Sequence, residues 1–345
     1  GSPSVLMMFY RAPGELESEL AEMDECMPHY YRVTNRHGQG AETIMRAEAL
    51  FYQGHVTDAH IELERAYAQV GGNGQINMAL CCDFLSWRLS LHTDVERRYT
   101  FSERYAALLR YHDASWINIW SATSAYYHAL RGETDKIPEI FSQHRLSDIH
   151  LLAPGKPMME MIENQVYLAQ GAYAKVVGRS AELLAACEAM HYALVALHIR
   201  IQTAAAYARL GKPETAHTWL QKALSDAGPD GLVMPFAENY SILKPLLARE
   251  TRSAFAARIT ALGEAAQARG AERLRPAAFR ALTAREFEIV ELMAQRLSNR
   301  EIAQKCYLSE GSVKQYVNQI YSKLHIEGDT RTKRAQLAAL LHEKT

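Results

Sequence analysis

Residues 298–324 read SNREIAQKCYLSEGSVKQYVNQIYSKL, and their spacing predicts two helices joined by a tight turn. Ser298, with Glu301 three residues on, forms a capping box. The hydroxyl accepts an N–H of the first turn, and the carboxylate reaches back to the cap. Ile302, Ala303 and Cys306 follow as the apolar side of that helix. Ser309 caps the next helix, in which Val313, Val317, Ile320 and Leu324 recur at intervals of four, three and four, a single helical stripe. About four residues separate the two helices, the spacing of a helix-turn-helix. With the stripe turned inward, Lys314, Gln315 and Asn318 face outward near the start of the second helix. Those are the positions from which a recognition helix reaches base edges.

Two further helices flank this pair. Thr283 and Glu286 form another capping box, followed by Phe287, Ile289, Val290, Leu292 and Met293. Thr330 is expected to cap a fourth helix carrying Ala335, Leu337, Ala338 and Leu341. The chemistry suits duplex DNA. Lys donates to guanine acceptors, and Gln or Asn pairs bidentately with adenine. The N–H groups at the start of the second helix, with Ser309 and Ser312, suit a phosphate. Ser298, Asn299, Arg300, Lys305 and Lys323 are the other expected phosphate contacts. The charge balance agrees. Residues 251–345 hold 16 Lys and Arg against 10 Asp and Glu, whereas residues 1–250 hold 22 against 29. A basic end on an acidic body points to a polyanionic partner.

In order and spacing, Leu282-Thr-Ala-Arg-Glu286, Ser298-Asn-Arg-Glu-Ile-Ala303, Leu308 through Lys314, and Ile320 through Leu324 resemble the LuxR-type helix-turn-helix family. The resemblance covers about Leu282–Leu341. It implies that Lys314, Gln315 and Asn318 read bases in the major groove of operator DNA, and that the fourth helix can mediate a homodimer on DNA. Three positions depart from the family: Arg296 and His325 stand where glycine is usual, and Tyr316 where histidine is frequent. The two lost glycines predict either strained turns or turns of a different form.

Upstream, glycines recur at Gly54, Gly132, Gly171 and Gly211, at intervals of 78, 39 and 40. Because 78 is twice 39, a degenerate copy is expected near Thr93. Each glycine follows an apolar helical run such as Ala205-Ala-Tyr207. Five residues beyond stand Ala59, Ile137, Val176 and Ala216, and nine beyond stand Leu63, Phe141, Ser180 and Leu220. Positions four apart share one face of a helix. The pattern is a pair of helices per repeat with glycine closing the first, and such pairs bury their apolar faces by stacking. The predicted fold class is all-α: an α-solenoid of tetratricopeptide-like pairs from about Thr43 to Leu224, then the four-helix LuxR-type domain. Residues 1–40 carry few signals and stay unassigned; 41–250 form the repeat domain; 251–281, with six Arg, form a basic helical connector; 282–345 form the DNA-binding domain. Leu232–Leu247 is expected to cap the stack. The repeat region resembles the sensor of MalT-like large regulators, which implies an inducer or protein partner at the repeats. With the Gly1-Ser2 start, it also implies the C-terminal part of a larger regulator.

Other functions find no motif. No Gly-x-x-x-x-Gly-Lys-[Ser/Thr] occurs, so the nucleotide switch of the MalT-like proteins is not seen. No His-Glu-x-x-His, no Gly-x-Ser-x-Gly and no histidine cluster with ligand spacing is present, so no catalytic residue, metal or cofactor is predicted. No apolar run is long enough to span a membrane. Five cysteines, an odd number with no Cys-x-x-Cys, fit a reducing cytoplasm. Trp116 and Trp120, four apart, are read as core rather than as a ligand wall, and Cys81-Cys82 as buried small residues. The rival reading is an interaction scaffold of the same helix pairs without specific DNA binding. A third, an ATP-dependent switch, lacks its phosphate loop.

Overall fold

The computed structural model describes residues 2–71, 74–94, 99–250, 252–273 and 277–342. They divide into two compact units, with the division between Gln267 and Ala268. All regular structure among the described residues is helical.

In the first unit, α1 (Leu6–Phe9) and α2 (Leu16–Val33) precede α3 (Ala41–Tyr52), α4 (Val56–Gly71), α5 (Ile76–Leu89), α6 (Phe101–Leu108), α7 (Ala114–Leu130), the single-turn α8 (Glu139–Ser142), α9 (Lys156–Ala169), α10 (Tyr173–Ala189), α11 (Ala193–Arg209) and α12 (Pro213–Ala227). From α2 to α5 and from α6 to α12 successive helices pack on each other, and α3 on α5, α5 on α7, α7 on α9 and α9 on α11 add the next layer of contact. Gly54, Gly132, Gly171 and Gly211 all take positive φ, between 69° and 83°. At each, the N–H one residue later closes on the carbonyl five residues back: His55 to Leu50, Glu133 to His128, Ala172 to Tyr167 and Lys212 to Tyr207, at 2.8–3.0 Å. This is the helix-closing hydrogen bond that the glycines were expected to permit.

The two helices of a pair differ in burial. In α10, the residues buried are Val176, Ser180, Leu183 and Cys187; in α12, Ala216, Leu220, Ala223 and Ala227. Each set is a stripe at intervals of four, three and four. By contrast, α11 is buried on nearly every side. A helix apolar all round is a core helix. Burying a Leu or Val side chain contributes about 1.5–3 kcal/mol, so Val176, Leu183 and Leu220 add to the larger burial on α11 in holding these helices together.

Two repeats depart from expectation. Ile137 and Phe141 are buried, but no long helix joins them. A 3₁₀ turn, α8 and two further 3₁₀ turns fill 134–155 instead. Pro138 has no N–H to donate and pushes Ile137 out of the helical region, to φ −71° and ψ 129°. Near Thr93, no residue described has positive φ. There α5 stops at Leu89, and the Thr93 hydroxyl bonds back to the Leu89 carbonyl at 3.2 Å.

The unassigned start turns out to be structural: Leu6, Met7 and Tyr10 are fully buried, and α1 rests on α3 and α11. At the other end α13 (Met234–Glu238) and α14 (Tyr240–Leu247) cover α11, and α13 reaches back to α3. The expected connector is in part a body helix. In α15 (Ala254–Arg273), Ala256, Ile259 and Leu262 belong to the core of the first unit. A Cβ on Gly263 would lie 2.2 Å from Tyr240 Cγ, so only glycine allows that approach. Trp116 and Trp120 are half-buried against the same core, and Trp120 donates to the Phe101 carbonyl at 3.0 Å. Cys81 and Cys82 are buried free thiols, both pushed up by desolvation.

The second unit holds α16 (Ala284–Ala294), α17 (Asn299–Cys306), α18 (Glu310–Lys323) and α19 (Thr330–His342) around Ile289, Val290, Ile302, Val313, Ile320 and Leu337.

Candidate nucleic-acid interface

Each helix of the second unit starts where its cap dictates. Thr283 Oγ1 accepts from the Glu286 N–H at 3.2 Å, and Glu286 Oε2 accepts from the Thr283 N–H at 2.7 Å. Ser298 and Glu301 repeat the arrangement at 3.3 and 2.7 Å, which lowers the Glu301 carboxyl through its bonds to Ser298. Ser309 Oγ accepts from the Ser312 N–H at 3.0 Å and lies 2.8 Å from the Ser312 hydroxyl. The cap of α19 falls one residue earlier than expected. Asp329 Oδ1 accepts from the Thr332 N–H at 2.7 Å, and the side chains of Thr330 and Ala338 lie outside the described atoms.

These caps fix the rotation of α18. Val313, Ile320 and Tyr321 are buried, while Tyr316, Val317 and Leu324 pack partly against the same core. Lys314, Gln315 and Asn318 are all exposed, together on the opposite face of the N-terminal half. Lys314 Nζ sits 3.5 Å from Glu310 Oε1, with both side chains more than half exposed. Such a surface pair contributes about 0.3–0.5 kcal/mol and yields readily to a phosphate or a base.

The remaining expected contacts separate into two groups. Arg300 and Lys305 on α17 are exposed and, among the described residues, form no ion pair; Asn299 is half-buried. Ser309 and Ser312 lie at the start of α18. Ser298 and Lys323 are already engaged. The Ser298 hydroxyl bonds Glu301 Oε2 at 2.7 Å, and Lys323 Nζ bonds the Glu286 carboxylate at 2.8 Å. Burial alone would raise the Glu286 carboxyl; Lys323 and Thr283 outweigh it and lower it. One buried carboxylate therefore both caps α16 and ties it to the end of α18.

Two residues had no assigned part. Arg285 donates to the Cys306 carbonyl, where a cation meets the negative end of α17, and to Glu288 at 2.6 Å. Tyr307 forms the turn in the left-handed region, at φ 53°, and is 96% exposed. A phenol at that turn has no sequence signal beyond its place between two helices.

Arg296 and His325, the two replaced glycines, adopt the turn a glycine would, at φ 62° and 51°. A side chain there costs about 1–2 kcal/mol, and glycine gives back about 0.5–1 in chain entropy. Arg296→Gly and His325→Gly are therefore each expected to stabilise the second unit by up to about 1 kcal/mol. Slower hydrogen exchange of amides in 284–337 is the readout, and faster exchange would contradict the strain.

Four short helices, three of them capped by a hydroxyl and the middle pair joined by a left-handed turn, define a helix-turn-helix domain. Residues 280–335 match the family described as bacterial regulatory proteins, luxR family. A stretch of 50 residues, 14% of this chain, is 44% identical to the transcriptional regulatory protein LnrK of Bacillus subtilis (strain 168). The match spans about a quarter, 23%, of that relative. No solved structure matches the chain. The C-terminal unit thus carries a LuxR-family helix-turn-helix domain.

Proposed function

We propose that this protein is a DNA-binding transcriptional regulator that reads operator DNA in the major groove through α18. The observation that carries the reading is the shared exposed face of Lys314, Gln315 and Asn318, set opposite the buried Val313 and Ile320. Arg300, Lys305, Asn299 and the Ser309–Ser312 start of α18 supply the phosphate contacts. Ser298 and Lys323, both exposed though each is hydrogen-bonded to a glutamate of the domain, complete that set. A homodimer on DNA through α19 completes the arrangement. The first unit is a stack of tetratricopeptide-like pairs that receives a small molecule or a protein partner. Its helix-closing turns and layered contacts support that part. Five free cysteines support work in the cytoplasm.

Fluorescence anisotropy on a duplex selected from genomic fragments tests the reading. Lys314→Ala or Asn318→Ala is expected to lose about 1–3 kcal/mol at one base position and to relax specificity there. Arg300→Ala should weaken all sequences alike and lower the slope against log salt by about one. Unchanged specificity in both α18 variants would favour the interaction scaffold.

A further inference from the structure

In the first unit, α1, α2, the start of α3 and α5 border a half-open cavity of about 640 Å³. That size lies within the range of small-molecule sites. Six sulfur side chains line it: Met8, Met23, Cys26, Met27, Met78 and Cys81. Thioethers are unbranched and polarizable, and they adapt to flat or irregular apolar ligands. One wall is α2, an 18-residue helix of which only Leu16, Glu19 and Met23 are buried. It holds Cys26, Met27 and Tyr30 at the cavity without closing on it. Arg11 at the rim donates to both Glu19 oxygens, at 2.6 and 2.9 Å, and also to Glu22, so its charge is met within the protein. Among the described residues, the half-buried Asn77 amide forms no hydrogen bond within the chain, and it lines the same cavity.

We propose that this cavity binds an uncharged, largely apolar small molecule carrying one polar group, which pairs with the Asn77 amide. That it serves as the effector site rests on the signal-receiving part of the function proposed above. The walls fix the chemistry. An anion would be stripped of water against thioethers, and the one lining guanidinium, Arg11, is already shared by Glu19 and Glu22.

The probe is N-phenyl-1-naphthylamine, uncharged and fluorescent in apolar surroundings, titrated into the full chain. One saturable site per chain is expected, with binding of the sulfonated analogue 8-anilino-1-naphthalenesulfonate at least tenfold weaker. Met27→Trp, which fills the cavity from a half-buried wall position, is expected to weaken the neutral probe at least tenfold while the far-ultraviolet circular dichroism melt stays unchanged. If that variant misfolds, Asn77→Asp tests the same site by placing a charge in it, again with at least tenfold loss. No saturable binding, equal binding by the variants, or stronger binding of the sulfonate overturns the proposal. So does self-association that Met27→Trp abolishes without probe binding, which would assign the face to a second copy. Operator affinity measured with saturating probe separates the two readings. Binding that leaves DNA affinity unchanged keeps the cavity and overturns its regulatory use.

Discussion

Arg88→Met is expected to destabilise the first unit by about 3–5 kcal/mol. Arg88 on α5 and Glu238 on α13 form a two-bond ion pair, at 2.7 and 3.0 Å, with side chains 2% and 0% exposed. Burial opposes the Arg88 charge, but Glu238, Tyr52 and Tyr126 more than offset it and hold its pKa up. Arg88 also donates to the Tyr52 hydroxyl at 2.9 Å, and its guanidinium lies 4.7–5.5 Å from the rings of Phe51, Tyr52, Phe84 and Tyr126. Tyr126 donates to Glu238 at 3.0 Å, and His198 stands 3.1 Å from the Tyr52 hydroxyl. Five helices, α3, α5, α7, α11 and α13, thus meet on one buried charge pair. Removing Arg88 leaves the Glu238 carboxylate buried beside the Tyr126 hydroxyl with no cation. The double change Arg88→Met with Glu238→Leu removes the orphaned charge and is expected to recover most of the loss. All four tryptophans, Trp87, Trp116, Trp120 and Trp219, lie in this unit, so their fluorescence in urea reads its stability alone. A loss under about 1 kcal/mol for Arg88→Met would mean that aromatic packing, not the ion pair, holds the body closed.

The same pair shows where sequence reading stops. Period and glycine placement predicted the stripes of α4, α10 and α12, because a helix face is a local property of spacing. Arg88 and Glu238 stand 150 residues apart. Nothing within either segment distinguishes a buried charge from a surface one, so the contact of α13 with α3 and α5 went unread. The start of the chain was silent for a related reason. The polar contacts that seat α1 come from far along the chain: Glu48 accepts the Leu6 N–H at 2.7 Å, and the Ala193 N–H donates to the Tyr10 carbonyl at 3.1 Å. Pro138 overrides the repeat locally, because it has no N–H to donate and holds Ile137 in an extended conformation. The exposed side of α18 that carries Lys314, Gln315 and Asn318 was legible because a capping hydroxyl and a four-three-four stripe together fix rotation. The engagement of Lys323 was not, since its partner Glu286 lies 37 residues earlier and already had a role as a cap.

Glu48 gives a second large effect, with a sign opposite to that of most carboxylates. Burial pushes its carboxyl up to about 7, against the lowering influence of the Leu6 N–H, Ser4 and Arg88. The folded protein therefore keeps a proton that the unfolded chain releases above its ordinary value near 4.5. As pH rises from about 4.5 to 7, unfolding is favoured by up to about 3 kcal/mol; above 7 both states are ionised and the contribution is constant. His198 acts in the other direction. Burial, with Arg88 nearby, holds its pKa well below 6.5, so below pH 6.5 the unfolded chain takes up a proton that the folded one refuses. Between about 4.5 and 6.5 the two slopes oppose, and each variant should expose the other. Glu48→Gln is expected to gain stability relative to wild type at pH 8 and to lose it as pH falls below 6.5. His198→Gln should instead grow more stable with falling pH from 7 toward 4.5. Tryptophan-detected urea midpoints at pH 5, 6, 7 and 8 measure both. If Glu48→Gln and wild type differ by the same free energy at pH 5 and pH 8, the Glu48 carboxyl does not titrate in that window, and the Leu6 contact is held by a carboxylate that is charged throughout.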